Sequence, residues 1–545
     1  MESLWVVKLK FHTSGYTMKK ILIGLCAIGV VGYSVGAVAG NGKMHKKEKQ
    51  LNRTLLPIIH HLMHKKEKQL NRTLRPIIHH LGLTGDPLVG RDVPDILTSP
   101  EAQLGMELFF SKSLGGDRDS ACVTCHHPLL GGGDNLALPI GTESDEPDLL
   151  GPGRTNNEGF PPVPRNAPTT FNVIAWDKFQ FHDGRVQSLT PGEGENGTVG
   201  GIRTPNSAFG VADPLAGGNL VQAQARFPVT SREEMKGFNH NSYSDQEIRE
   251  FLAARLGEYE GPQVFNDSGE NVTDIEPLPF ESRWLGKFQQ ALSSPSGTAE
   301  ELITEQNVSM LIGEYERSQA FANTPWKSYV KGKNWAISAD AKRGAILFFT
   351  SSEQGGANCS SCHSGDFFTD ESFHNLAMPQ VGSGKGDSDD FETDLGSKDF
   401  GRFRETDLVQ DKFAFRTPSL INVEVTGPWS HAGAYATLDA VIKHHSNADN
   451  AITNFDYTQL EFEGVSNLDK MEDNTREALG ADNFDLKTLN LSDMQVGFLV
   501  EFLKTLTDPC VTDSACLAQW IPTGGEDDTD LDQLDAVILD SSFTQ

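Results

Sequence analysis

Cys122-Val-Thr-Cys125-His126 and Cys359-Ser-Ser-Cys362-His363 are the two stretches on which the reading of this 545-residue chain turns. Both have C-x-x-C-H spacing. Two thiols at that spacing can reach the two vinyl groups of one porphyrin, and the histidine that follows presents imidazole to the iron from one face. Composition alone would supply about 0.003 copies of the pattern. Two copies therefore point to two covalently bound c-type haems, with His126 and His363 as iron ligands. A redox disulfide does not require the histidine. A shared zinc site would need both pairs close in space although they lie 237 positions apart.

Outward from the motifs, a longer repeat emerges. Gly105-Met-Glu-Leu-Phe-Phe-Ser111 leads to Cys122, and Gly344-Ala-Ile-Leu-Phe-Phe-Thr350 leads to Cys359, each as an apolar helix-like stretch, a Gly-rich loop and a cysteine pair. Few segments alternate as strands do, and Gly 53 with Pro 27 implies long loops. The expected fold is mainly α, with two haem-wrapped units in tandem. The predicted boundaries are 82–325 for the first and 326–509 for the second. Residues 510–545 follow as a disulfide loop and acidic tail. Cys510 and Cys516 are the cysteines left over and are expected to pair in an oxidising compartment.

Charge is distributed unevenly. Residues 1–42 carry four Lys against one Glu, residues 43–81 carry ten Lys/Arg against two Glu, and the whole chain is at −29, which leaves −40 for residues 82–545. Such a body repels phosphate backbones and attracts cationic proteins at low salt, so nucleic acid is not an expected partner.

Residues 1–39 read as a signal region. Met18-Lys-Lys precedes an apolar run, Ile21 to Val31, and Ala37-Val-Ala39 ends it; the run is too short to span a membrane. Leu25 before Cys26 does not suit a lipoprotein site, so a free periplasmic protein is expected. Residues 40–81 form a basic arm in which residues 44–62 recur at 63–81 with one change, Leu56 to Arg75. Pro57 and Pro76 are expected to interrupt any long helix there, leaving a tether without chemistry.

The sixth ligand of each iron decides whether a haem binds small molecules or only passes electrons. In Thr437-Leu-Asp-Ala-Val-Ile-Lys-His-His445, Leu438, Val441, Ile442 and His445 fall on one helix face, so His445 is the expected second ligand of the C-terminal haem, with His444 as the alternative.

At this point the chain resembles the bacterial di-haem cytochrome c peroxidases, the family that includes MauG. The likeness runs over about residues 100–508. It is carried by LGMELFFS (104–111), GGGDN (131–135), PRNAPTTFN (164–172), FHDGR (181–185), FPVTSREEM (227–235), FHNLAMP (373–379), FRTPSLINV (415–423), TGPWSHAG (426–433) and TLDAVIKHH (437–445), besides the two haem motifs. The resemblance implies two cytochrome-c-like domains, an N-terminal haem that meets peroxide, a C-terminal haem that relays electrons, and a calcium ion between them. Position by position, the family's axial Met or Tyr falls at His445, its peroxide-cleaving Glu at Glu234 and the companion Gln at Gln224. The calcium ligands would be the Asn166 side chain and the carbonyls of Thr426 and Pro428. Two positions depart from the pattern. Thr142 stands where many relatives carry a His that blocks the first haem, with His127 and His240 as conceivable replacements. His182 stands where the family places a Trp between the haems. A Gly- and Asn-rich insert at about 192–220 is a loop or a substrate mouth.

The expected function is a periplasmic peroxidase that reduces hydrogen peroxide to water with electrons from a small cytochrome c or cupredoxin, as a monomer or a homodimer. Three other readings compete. A MauG-like oxidase that modifies a partner protein is favoured by Thr142 and disfavoured by His182. A di-haem oxygenase of the rubber-cleaving type is disfavoured by Glu234. An electron carrier would need a sixth ligand on the first haem.

Overall fold

Helices are the main regular structure of residues 61, 65–156, 163–266, 268–273, 275–279, 283–385, 398–460, 468–523 and 532–534, which the computed structural model describes, and strands there are few and short. The signal region and residues 44–60 lie outside the described residues. The chain divides into two compact units, 1–66 and 67–545. Of the first, residues 61, 65 and 66 are described, each helical. The other described residues belong to the second. Among the described residues no helix is long and apolar enough to cross a membrane.

The haem motifs sit behind two similar helix pairs. Helix α1 covers residues 67–80. Helix α2, Pro100–Phe109, starts where the Ser99 hydroxyl accepts the Ala102 N–H, with Pro100 in the first turn. Helix α3, Leu220–Ala225, is capped by Asn219. Helix α4, Glu305–Ser318, is capped by Thr304 and crosses α2. Helix α5, Ala339–Phe349, is capped by Ser338. Helix α6, Leu438–Ser446, is capped by Thr437, and α7, Asp493–Lys504, begins in a Ser492/Gln495 capping box and crosses α5. Each crossing is made at a glycine. A Cβ on Gly105 would lie 1.9 Å from the Leu311 carbonyl oxygen, and one on Gly344 would lie 1.8 Å from that of Phe498. The repeated Gly-x-x-Leu-Phe-Phe pattern thus encodes a close backbone approach in both halves.

The core follows the same division. One apolar cluster joins Leu104, Leu108 and Phe109 of α2 to Leu311 and Tyr315 of α4, with Leu252 and Phe288. Another joins Trp326, Phe348, Phe368 and Phe502, whose rings meet at 5.1–6.4 Å. Strands β1 (Phe179–Gln180), β2 (Val186–Ser188) and β3 (Ile202–Arg203) form a small antiparallel sheet, and β4 (Phe373–His374) pairs with β5 (Phe415–Arg416), His374 opposite Phe415.

Two segments differ from their expected character. Helix α1 runs through Pro76 instead of stopping at it. Leu74 and Ile78 are buried in the second cluster. Arg75 donates to the carbonyls of Tyr329 and Val330 and to Asn334 Oδ1, with its guanidinium 4.4 Å from the Tyr329 ring. Glu67 pairs with the buried Lys342 at 2.8 Å, and the Tyr329 hydroxyl donates to Asn71. These contacts anchor the helix on both sides of the residue that lacks a backbone N–H. In the acidic tail, residues 532–534 dock through a single antiparallel bridge, Gln533 opposite Ser111: Lys112 N–H donates to the Asp532 carbonyl, Leu534 N–H to that of Phe110, and the Leu534 side chain is buried.

Candidate haem-binding site

Both motifs close in the same way. Cys122–Cys125 is a single helical turn and Cys359–Ser361 a tighter one; His126 N–H donates to the Cys122 carbonyl and His363 N–H to that of Cys359. The four cysteines are unpaired, whereas Cys510 and Cys516 are joined. Burial pushes the thiol pKa up at Cys122 and Cys125, and up to about 12 at Cys359. Half-buried thiols held protonated in this way are poor nucleophiles, which weighs against redox exchange at these three cysteines.

Three imidazoles are held alike. His126 Nδ1 donates to the Gly132 carbonyl at 3.2 Å, His363 Nδ1 to that of Phe368 at 3.1 Å, and His445 Nδ1 to that of Val441 at 2.8 Å. Each Nε2 is left with its lone pair, the arrangement that orients a metal-binding histidine. Burial keeps all three neutral, with His363 down to about 4. All three line one cavity, which Gln224, Asn166, Thr426 and Pro428 also reach. His444, the alternative ligand, has neither nitrogen to offer: its Nε2 donates to the Leu376 carbonyl at 2.9 Å and its Nδ1 accepts the Tyr435 hydroxyl at 2.7 Å.

Glu234 lies on Arg232–Lys236, a single wide π-type turn closed by the Gly237 N–H on the Arg232 carbonyl. It is not among the residues lining that cavity. Its carboxylate is nonetheless near enough to favour protonation of His126 and to oppose ionisation of Cys122 and Cys125. Glu233 points elsewhere, buried and accepting the Ser231 hydroxyl at 2.7 Å. Thr142 fixes the turn. It is fully buried, its N–H donates to the Glu233 carbonyl, and its hydroxyl donates to the Arg232 carbonyl at 2.8 Å. The two conceivable substitutes for a blocking His are both buried, each with one nitrogen engaged, and neither lines the cavity: His127 Nδ1 accepts the Leu129 N–H, and His240 Nε2 lies 2.6 Å from Asp117 Oδ1.

Asn166 Nδ2 donates to the carbonyls of Leu136 and Ala137, which turns Oδ1 the other way; oxygen donors of this kind suit calcium. His182 Nε2 donates to the Asn166 carbonyl, and burial depresses its pKa to about 3. The 192–220 insert is anchored by Asn196, whose side chain donates to the Trp176 carbonyl, and by a buried Thr204–Asp213–Arg226 chain. Val199, Phe209 and Val211 are left exposed.

Three side chains went unnoticed in the sequence. His374 Nε2 and Nδ1 lie 2.9 and 3.0 Å from Asp370 and Asp485. Because carboxylates only accept, both nitrogens carry protons, and the Asp370 bond chiefly raises the pKa, to about 11. One nitrogen of His374, one Asp370 oxygen and Cys362 Sγ lie within 4.8 Å of one another, but a thioether-bonded Cys362 would not be a metal ligand. Glu316 is buried in the cavity wall, its pKa raised to about 8 by burial alone. His431 lines the same cavity; His182-Asp-Gly184 and His431-Ala-Gly433, an echo between the halves, was the available signal.

Residues 99–335 match the family described as "Di-haem cytochrome c peroxidase". Among curated relatives, the methylamine utilization protein MauG of Methylorubrum extorquens is 28% identical over 349 residues, covering 64% of this chain and 69% of the relative. The cytochrome c551 peroxidase of Pseudomonas aeruginosa is 24% identical over 352 residues, covering 65% and 73%. Among solved structures, the diheme peroxidase BthA of Burkholderia thailandensis has 19% identity and a TM-score of 0.47, covering 78% of this chain and 89% of that one. Over residues 99–335 the chain is therefore similar to the di-haem cytochrome c peroxidase and MauG family, whose members are oxidoreductases.

Proposed function

We propose that the protein is a periplasmic di-haem peroxidase built of two cytochrome-c-like domains. Haem c at Cys122/Cys125 would be the peroxide site, and haem c at Cys359/Cys362 the electron relay. The observation that carries this is the inventory of imidazoles. On the C-terminal side two neutral histidines, His363 and His445, share the free-Nε2 arrangement. On the N-terminal side His126 has it, while Thr142 is tied to the Arg232 carbonyl and neither His127 nor His240 lines the cavity.

Haem supplies iron that cycles by single electrons and binds peroxide oxygen. The surrounding residues do the rest. His126 and His363 are anchored through Nδ1 to backbone carbonyls, which fixes their rings. Glu234, beside the first motif, is the carboxylate that moves a proton from the near to the far peroxide oxygen as the bond breaks, and Gln224 holds the substrate by hydrogen bonding. Reduction of one hydrogen peroxide to two waters takes two protons and two electrons, supplied one at a time by a small cytochrome c or cupredoxin drawn to the acidic body. Asn166 Oδ1 with the Thr426 and Pro428 carbonyls would hold one calcium ion between the domains. Thr142 also favours the MauG-like reading, oxidation of a partner protein.

The decisive experiment is stopped-flow mixing of the fully oxidised protein with peroxide, followed by turnover with a reduced small cytochrome. Immediate reaction without prior reduction is expected. A reaction seen only with oxygen and an organic substrate would refute the proposal. For the relay, His445→Ala should turn one low-spin ferric signal high-spin, while His444→Ala should leave the spin state unchanged.

A further inference from the structure

His431 lies where the two halves meet, and its environment is chemically incomplete. The halves interlock reciprocally: Arg416 N–H donates to the His182 carbonyl and Asn166 N–H to the His431 carbonyl, both at 2.8 Å. His182-Asp-Gly184 in the first half and His431-Ala-Gly433 in the second thus occupy matching places. Their rings do not. His182 has a partner for Nε2, the Asn166 carbonyl. The His431 ring lies flat on Phe415, centroids 3.8 Å apart and planes within 9°. It is 5% exposed, and both of its nitrogens are buried without a partner, a state no other histidine shares among the described residues.

A neutral imidazole has one N–H to give and one lone pair to fill. Burial keeps His431 neutral, down to about 4, with the Asp399 carboxylate and the Arg165 guanidinium pulling in opposite directions. Arg165 is itself committed to Asp183 and Asp399. Buried polar groups left unmet are rare in native folds, and this one opens on the cavity shared by His126, His363 and His445. The missing partner therefore belongs to whatever fills that cavity. A c-type haem carries two carboxylates on the edge opposite its thioethers, strong acceptors that need donors when buried.

We propose that the His431 N–H is a positioning donor to a haem carboxylate in this cavity, and that the bond raises the reduction potential of that haem. The inference rests on the haem reading above. A donor on the carboxylate draws negative charge away from the porphyrin edge and so favours the ferrous state. Stacking on Phe415 and the backbone bond from Asn166 hold the ring in place.

The test is a potentiometric titration of the purified holoprotein, following both haems by visible absorption. His431→Phe keeps a ring against Phe415 and removes the nitrogens. It should shift the oxidation equilibrium of one haem about tenfold toward ferric, which is about 59 mV for one electron. His431→Gln keeps a donor and should restore at least half of that shift. Should the Phe variant fail to fold, His431→Leu serves as the donor-free variant with the same expectation. Unmoved potentials in the donor-free protein, or an equal fall in the Gln variant, would overturn the proposal. Haem content by mass separates the two levels: a wild-type protein without two bound haems defeats the haem reading, whereas two bound haems with unmoved potentials defeat this inference alone.

Discussion

Glu234 and Glu233 are neighbours with opposite surroundings. Glu233 is buried and tied to Ser231, while the Glu234 carboxylate is half-buried and near enough to the first pair of thiols to oppose their ionisation. If Glu234 moves the proton during peroxide cleavage, Glu234→Gln should lower peroxide turnover by about 10²–10⁴ while leaving haem spectra intact. Undiminished turnover would return Glu234 to the status of a surface charge. His374 offers a test of a different kind. Its folded pKa, raised to about 11 by Asp370 first of all, lies above the unfolded histidine value of about 6.5. Its contribution to stability is therefore complete below about pH 6.5, diminishes as pH rises, and is gone above about 11. Thermal unfolding of His374→Gln against wild type should show a larger loss at about pH 6 than at about pH 10. Equal losses would mean that the clamp acts by shape and not by charge.

At the scale of elements, the crossings at Gly105 and Gly344 are where pattern and structure agree most closely. Gly344→Ala would drive a methyl group into the Phe498 carbonyl, so a destabilisation at or above the top of the usual overpacking range, about 3 kcal/mol, is expected by denaturant titration. A loss below about 1 kcal/mol would mean that α5 and α7 can part without penalty. These glycines were legible because the whole stretch recurs before each cysteine pair. The choice between His444 and His445 was legible only as a preference, since helical spacing orients a side chain but cannot say that Tyr435 and Leu376 occupy the other ring. Pro76 was misread for a related reason. Propensity is local, while the bonds from Arg75 to Tyr329, Val330 and Asn334 join residues more than 250 positions apart. Residues 532–534 follow the same logic, a short segment held by the backbone of residues 110–112 that no local pattern announces.

For the whole molecule, the echo between halves extends beyond the haem motifs. Asn172 and Asn422 both adopt left-handed backbone, φ 60° and 65°, and their N–H groups donate to the carbonyls of Gln319 and Leu506, at the ends of the paired helices. The recurrence of one sequence pattern explains why so many of the residues around the cavity were legible in the sequence. His431 is legible only through its match to His182, since nothing in its own stretch, Ser430-His-Ala-Gly433, marks it as a polar group without a partner.

The second, shorter repeat behaves differently. Residues 44–62 and 63–81 differ at a single position, and in the later copy that position, Arg75, makes four hydrogen bonds and a ring contact to the body of the protein. Arg75→Leu would make the two copies identical, and amide exchange over residues 67–80 should then accelerate at least tenfold, against no change if Leu74 and Ile78 alone hold the helix. One side chain therefore distinguishes the twin segments, and it is the one that ties the later copy to the body of the protein.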